Sequence, residues 1–166
     1  METKRFKRRS IRLRDYDYAG DGVYFVTVCT YNKNKIFGKI VNGKMFLNKL
    51  GEIVRDEWIK TKNIRPYVEL DEFVIMPNHF HGIICMENHG AVGAQRAVPL
   101  RQFGQMVPQS VPAIMRAFKS AVTKRVNELR AMTGIPVWQR NYYEHVIRNE
   151  LDLKRARQYI QNNSLT

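Results

Sequence analysis

Apolar residues change their spacing several times along the chain, and each change indicates a different element. The run GVYFVTVCTY, residues 22–31, is rich in β-branched and aromatic residues and predicts a strand. The Asn42–Gly43 pair lies between two apolar runs and predicts a hairpin turn. From Asn48, a candidate N-cap, apolar residues recur at the spacing of a helix. They are Leu50, Ile53, Val54, Trp58 and Ile59.

The second half of the chain repeats this change between strand and helix patterns. The run YVELDEFVIMPNHFHGIICME, residues 67–87, predicts two strands joined at Pro77–Asn78. Residues 137–148 predict a further strand, and residues 150–163 a short helix. Before residue 137 an apolar stripe predicts another helix, with the residues Val111, Met115, Phe118, Val122, Val126 and Leu129.

The order strand, helix, hairpin, helix, strand, helix predicts an α+β domain. We expect a ferredoxin-like antiparallel sheet with helices packed on one face. We expect residues 1–14 to form a basic N-terminal arm and residues 15–166 a single domain. Within that domain, residues 88–112 are rich in Gly, Ala, Gln and Pro and predict a long mobile loop.

The net charge of the chain restricts the kinds of partner that we expect it to bind. It has 28 Lys and Arg against 15 Asp and Glu, a net charge of +13 and a pI near 10.0. A protein this basic is expected to bind a polyanion, and nucleic acid is the usual one. A membrane is not expected, because no segment is apolar over the ~18 residues that a span requires, and the basic N-terminus lacks the apolar region of a signal peptide.

The basic residues fall into two predicted DNA-binding groups. We expect the arm to contact phosphates, although a solvated tail is the alternative. The second group lies on the polar side of the helix after residue 111 and just after it, where a solvated surface is again the alternative. The predicted DNA-binding residues are Lys4, Arg5, Lys7, Arg8, Arg9, Arg12, Arg14, Arg116, Lys119, Lys124 and Arg140.

Two cysteines, Cys29 and Cys85, each lie inside an apolar run. We expect buried, reduced thiols in a cytoplasmic protein rather than a disulfide. Two cysteines are also too few for a zinc site made of thiolates.

Candidate chemistry centres on the stretch MPNHFHGII, residues 76–84. Alternation along a strand places His79 and His81 on one side, roughly 7 Å apart, with Phe80 on the other. Two imidazoles suit an open metal site completed by another ligand, water and substrate oxygens. Two satisfied histidines at a turn are the alternative, and His-x-His alone is weak evidence for a metal site.

The last predicted helix offers a third ligand. Tyr159 and Asn163 are four residues apart, which places them on one side of a helix. An amide oxygen such as that of Asn163 is an acceptable ligand for Mg²⁺ or Mn²⁺. The phenol of Tyr159 would then lie beside the same ion, although core packing is a serious alternative for this residue.

These residues resemble those of a known family, the single-tyrosine HUH transposases of small bacterial insertion sequences. The resemblance is greatest to the REP-associated tyrosine transposases. It is carried by VIMPNHFHGII, AIMRAFKSAVTK, VWQRNYYEHVIRNE and YIQNN, in that order over about 100 residues. Ser164 stands where the family usually has a proline.

The resemblance implies a ferredoxin-like sheet and an enzyme that cleaves and rejoins one DNA strand. It implies that His79, His81 and Asn163 hold Mg²⁺ or Mn²⁺ and that Tyr159 is the nucleophile, giving a 5′-phosphotyrosine. The expected substrate is single-stranded or hairpin DNA in the bacterial cytoplasm, close to the nucleoid. A homodimer is compatible with this reading.

Other readings of the same residues stay open. A non-catalytic nucleic-acid-binding module with a ferredoxin-like sheet is the main one, although the run of Gly and aromatic residues typical of RNA-recognition sheets is missing. A metal nuclease that uses activated water is another. Tyr142 and Tyr143 are rival nucleophiles; alternation sends them to opposite sides of a strand, and we favour packing or base stacking for both.

Overall fold

The elements of the fold follow the predicted order. A computed structural model describes residues 20–87 and 108–163; the predicted arm and most of the predicted loop at 88–112 lie outside the described residues. The strands are Gly22–Cys29 (β1), Gly38–Val41 (β2), Lys44–Leu47 (β3), Val68–Met76 (β4), His79–Met86 (β5) and Tyr143–Ile147 (β6). The helices are Lys49–Ile64 (α1), Val111–Leu129 (α2) and Glu150–Asn162 (α3).

Four strands form an antiparallel sheet in the order β4–β5–β1–β6. Because α1 connects β1 towards β4 and α2 connects β5 to β6, the connectivity is that of a ferredoxin-like domain. Strands β2 and β3 make a separate hairpin, whose turn has positive φ angles of 49° at Asn42 and 71° at Gly43. The predicted α+β class, antiparallel sheet and hairpin turn are confirmed.

Each helix begins at a side chain that satisfies its first amides. Asn48 accepts hydrogen bonds from the backbone amides of Leu50 and Gly51, which confirms the predicted N-cap of α1. Ser110 caps α2 and Asn149 caps α3 in the same way. Within residues 20–87 and 108–163, none of the helices is long and apolar enough to cross a membrane.

Helices pack against both faces of the sheet. On one face, β1 contributes Tyr24, Val26 and Val28 to a core that α1 and α2 complete. On the other face, Ile160 of α3 packs with Ile83 of β5. The prediction of helices on one face therefore holds for α1 and α2, whereas α3 lies on the opposite face. The reason is that Val23, Phe25 and Ile83 give this opposite face an apolar part of its own, and α3 packs against it.

The strand that carries the two histidines is in close contact with α1. Trp58 of α1 is fully buried and lies over Gly82 of β5, where a Cβ atom would come within 2.6 Å of the Trp58 ring. The same indole contacts the Phe80 ring with a centroid distance of 4.6 Å. Gly82 is therefore the residue whose missing side chain lets α1 approach β5.

Helix α3 is attached to the edge strand β4 by polar contacts. Strand β4 has a bulge between Leu70 and Phe73, where an advance of three residues along β4 pairs with an advance of only two along β5. At this bulge Asp71 accepts hydrogen bonds from the guanidinium of Arg157, with Nη2 to Oδ2 at 2.6 Å and Nε to Oδ1 at 3.0 Å. These bonds hold the pKa of the Asp71 carboxyl below its usual range, although partial burial opposes the shift.

We predict that Gly82→Ala destabilises the protein by about 1–3 kcal/mol, because the added methyl group must displace a buried indole. Urea unfolding followed by tryptophan fluorescence measures the effect. Lys39→Ala, in the exposed hairpin, is the control and should leave the midpoint unchanged. An unchanged midpoint in Gly82→Ala would show that the Trp58 contact is not tight.

We also predict that Asp71→Asn removes an acid-dependent part of the stability. Since the folded pKa of Asp71 is lowered, its contribution is full above the unfolded pKa, about 4, and is lost as the pH falls through the folded value. The wild type should therefore exceed Asp71→Asn in unfolding free energy at pH 6, and the difference should shrink below about pH 4. Lys154→Gln, on the same helix, should leave the profile of the wild type intact. A difference independent of pH would contradict the role of the carboxylate charge.

Candidate functional site

His79 and His81 lie on the side of β5 that faces α3. Phe80, between them, is fully buried in the core on the other side. The centroids of the two imidazole rings are 4.7 Å apart. The alternation inferred from the sequence therefore brings the histidines together on one face of a strand at the centre of the sheet.

Neighbouring side chains orient both imidazoles. The Nδ1 atom of His79 lies 2.7 Å from Oδ1 of Asn78. Because an amide oxygen only accepts, Nδ1 of His79 is the donor, and the neutral ring keeps its lone pair on Nε2. The Nδ1 atom of His81 is 2.7 Å from Oγ1 of Thr27, its direct partner across the β1–β5 pair. Both rings are thus held on their Nδ1 side, which leaves the Nε2 atoms for the site.

Burial keeps the two imidazoles neutral. It lowers the pKa of His79 below its usual value, and the Asn163 amide oxygen opposes that shift. Burial also lowers the pKa of His81 to about 4, with a further contribution from the charge of His79. Neutral imidazole is the form that binds a metal, so no proton has to leave these rings at pH 7.

Helix α3 brings Tyr159 and Asn163 to the histidines. The Asn163 side chain is buried at the end of the helix, with Oδ1 3.3 Å from Nε2 of His79. The Tyr159 ring meets those of His81 and Phe25 edge-on, at centroid distances of 5.2 and 5.9 Å. Tyr159 nevertheless remains 54% exposed. A side chain so exposed is not a core residue, and a substrate can approach it.

The donor set fits a divalent cation. With Nδ1 of His79 donating to Asn78, the Nε2 lone pair and the Asn163 oxygen face each other as two acceptors, an arrangement that a cation would stabilise. Imidazole nitrogens with an amide oxygen suit Mn²⁺ or Mg²⁺ and leave positions for water and phosphate oxygens. No group of three or more His, Cys, Asp and Glu side chains in the described part of the chain could hold a metal. A third protein ligand here must therefore be a residue of another type, and the Asn163 amide oxygen is near enough to His79 to serve.

Two residues of β1 were missed by the sequence reasoning. Thr27 orients His81, and Phe25 stacks on the same imidazole at a centroid distance of 5.3 Å. Alternation along β1 places both on one face, but the sequence does not show that β1 pairs with β5. The sequence therefore shows that Phe25 and Thr27 share a face of β1, but not that this face lies beside His81.

The predicted DNA-binding residues of α2 are not brought to this site. Arg116, Lys119 and Lys124 belong to the helix that packs on the opposite face of the sheet. The ammonium group of Lys119 donates to the backbone oxygens of Gln139, Arg140 and Asn141 at 2.7, 3.1 and 3.3 Å, so it holds the segment before β6. Burial lowers the pKa of Lys119. The seven basic residues predicted at positions 4–14 lie outside the described residues.

The rival tyrosines separate as alternation predicts. Tyr142 packs against the core and donates a hydrogen bond to Glu144. Tyr143 is 52% exposed and lines a groove beside Tyr159, together with His145. The two cysteines are free thiols, as expected, but both are half-buried rather than buried; the partial burial raises the pKa of Cys85.

Comparison with known proteins supports this assignment of the fold. No family model matches the chain. An uncharacterized protein of Haemophilus influenzae is 43% identical over 163 residues, covering 95% of this chain and 88% of that protein. Among solved structures, a REP-associated tyrosine transposase bound to a REP hairpin matches with a TM-score of 0.58 and 21% identity, over 93% of this chain and 72% of that one. The chain therefore belongs to one family with the Haemophilus influenzae protein and has the fold of a REP-associated tyrosine transposase.

Proposed function

We propose that this chain is a metal-dependent transposase that cleaves and rejoins one strand of single-stranded or hairpin DNA through Tyr159. The observation that carries the proposal is the meeting of Tyr159 with His79, His81 and Asn163. His79 and Asn163 are 84 positions apart in the sequence, and packing of α3 on the sheet brings them within 3.3 Å. The transposase with the same fold is bound to a REP hairpin, which supports DNA of this kind as the substrate.

In the proposed reaction, His79, His81 and Asn163 would hold Mg²⁺ or Mn²⁺. When bound, the ion would supply positive charge that makes the phosphorus more electrophilic and stabilises the leaving oxygen. Thr27 and Asn78 keep the two imidazoles in the orientation and tautomer that this requires. The protein's own part is to fix three neutral ligands on two packed elements.

Tyr159 forms the covalent bond. Its phenolic oxygen attacks the phosphorus in line, the bond from phosphorus to the 3′ oxygen breaks, and that oxygen leaves with a proton as a 3′-OH. The phenol loses its own proton, and a 5′-phosphotyrosine remains. Because one phosphodiester replaces another, attack by a second 3′-OH reverses the step and rejoins strands without ATP. The exposed position of Tyr159 allows a DNA strand to reach it.

Binding of the DNA backbone is proposed for the basic residues. The net charge of +13 provides phosphate affinity independent of base sequence. The proposed contacts are the basic residues of the arm, together with the exposed residues Arg116, Lys124 and Arg140 away from the histidines. Lys119 is no longer among them, because its ammonium group holds the segment before β6. A homodimer remains a prediction.

We predict that Tyr159→Phe binds DNA and metal but forms no covalent adduct. The ring and its edge contacts with His81 and Phe25 are kept, and the one oxygen that could form the ester is removed. Single-stranded genomic hairpin DNA is incubated with the protein and Mn²⁺, and the products are separated on denaturing gels. Tyr31→Phe, which changes another exposed tyrosine, should form the adduct as the wild type does.

Strand cleavage by Tyr159→Phe, or a modified peptide containing Tyr143, would overturn the assignment of Tyr159 as the nucleophile. Binding of DNA without any adduct in the wild type would favour the non-catalytic module.

We also predict a graded loss of metal binding. His81→Ala should lose cleavage while retaining DNA binding, because phosphate affinity comes from other residues. Thr27→Val keeps the shape of the side chain but removes the hydroxyl that orients His81, so Mn²⁺ affinity should fall about 10- to 100-fold. Titration of Mn²⁺ by calorimetry measures both variants. Cleavage by the wild type in excess EDTA, or unchanged Mn²⁺ affinity in His81→Ala, would remove the metal from the proposal.

A further inference from the structure

One half of the sheet face beneath α3 is open in the described part of the chain. The helix reaches β4 through Arg157 and Gln161, and it packs on Ile83 of β5 through Ile160. Beside it, β1 and β6 form the floor of a groove, and α3 forms one wall. The groove has a volume of about 610 Å³, within the range of small-molecule sites, roughly 300–1,000 Å³. The floor includes Phe25, Tyr143 and His145 and reaches His81, and the wall includes Arg155 and Tyr159.

The lining of this groove combines aromatic surface with positive charge. Tyr143 on β6 and Tyr159 on α3 are each more than half exposed, so both rings present surface to the groove. Arg155 provides a guanidinium group on the wall. The Asp152 carboxylate accepts a hydrogen bond from His145, Nε2 to Oδ2 at 2.9 Å. An aromatic floor beside a cation is the chemistry that binds an unpaired base together with its phosphate.

The groove is continuous with the proposed metal and nucleophile site. Phe25 contacts both the His81 ring and the Tyr159 ring from the floor of the groove. Thr27 of β1 is the direct cross-strand partner of both His81 on β5 and Tyr143 on β6. Two strand spacings, about 10 Å, therefore separate the backbones of His81 and Tyr143. That distance is suited to the nucleotide next to a phosphate held at the histidines.

We infer that the groove binds the base of the unpaired nucleotide adjacent to the phosphate that Tyr159 attacks, with Tyr143 as the stacking platform. The inference rests on the proposed function for the position of the phosphate. Stacking on Tyr143 requires a base with a free face, so the groove selects a single strand at this point. Arg155 contacts the backbone of the same nucleotide.

The experiment is a cycle of protein and DNA changes. Fluorescence anisotropy measures the affinity for a hairpin with a single-stranded extension, in EDTA so that no strand is cut. One abasic site is moved through the extension, position by position. For the wild type, the abasic site should lower the affinity roughly 5- to 100-fold at one or two neighbouring positions. In Tyr143→Ala the same abasic sites should change it less than about 2-fold, because the platform is already lost.

Two further variants guard against an unfolded mutant. Tyr143→Phe keeps the ring and should retain the position-dependent effect of the abasic site. Phe46→Ala removes an aromatic side chain of nearly equal exposure, 53%, from the separate β2–β3 hairpin, and should behave as the wild type does.

The outcomes separate this inference from the proposed function. If the loss of affinity caused by an abasic site at one position depends on Tyr143, base binding in the groove is supported, even if Tyr159 forms no adduct. If the wild type forms an adduct but the effects of Tyr143→Ala and of the abasic site are additive at every position, base binding in the groove is contradicted and the proposed function stands. The groove would then bind a protein segment or a second copy of the chain. Failure of the wild type to bind any single-stranded DNA overturns both.

Discussion

The pairing of β5 with β1 is the constraint on which the site depends. The register sets Thr27 directly opposite His81, so the hydroxyl of one strand holds the imidazole of the next. A shift of one residue would turn both histidines into the core between the sheet and α1, where Phe80 now packs against Trp58. The large apolar side chain between two imidazoles therefore makes the register costly to change, and it keeps both histidines on the face that receives α3.

The second constraint is the attachment of α3. Its apolar contact with the sheet is small, with Ile160 as its buried residue, and its polar contacts are made at the bulge of β4. Tyr159 and Asn163 lie on this helix, so their distance from the histidines depends on how the helix is held. Because the helix lies towards β4 and β5, it brings Asn163 to His79, and beside Tyr159 none of the residues that the structure describes covers β1 and β6. The placement that assembles the donor set thus also forms the groove.

Much of the fold follows from local patterns. The N-cap at Asn48, the turn at Asn42–Gly43 and the break at Pro77–Asn78 are each decided by a few neighbouring residues, and the structure has all three. The placement of α3 on the opposite face was not predicted. Its apolar positions show that it packs, but not on which surface, since β1 and β5 carry apolar residues on both faces, in addition to the two histidines on one of them. The role of Lys119 on α2 was also not predictable, because no local pattern of residues indicates that its ammonium group donates to backbone carbonyl groups far along the chain.

The sequence by itself determined which residues share a strand face or a helix turn: His79 with His81, and Tyr159 with Asn163. These relations arise from the geometry of one element and need no knowledge of its neighbours. Only the tertiary structure decided that the two pairs meet, that Thr27 and Asn78 orient the imidazoles, and that burial lowers the pKa of His81 to about 4. Strand pairing and helix packing join residues far apart in the chain, and burial depends on everything packed around a side chain. No local pattern of residues contains that information.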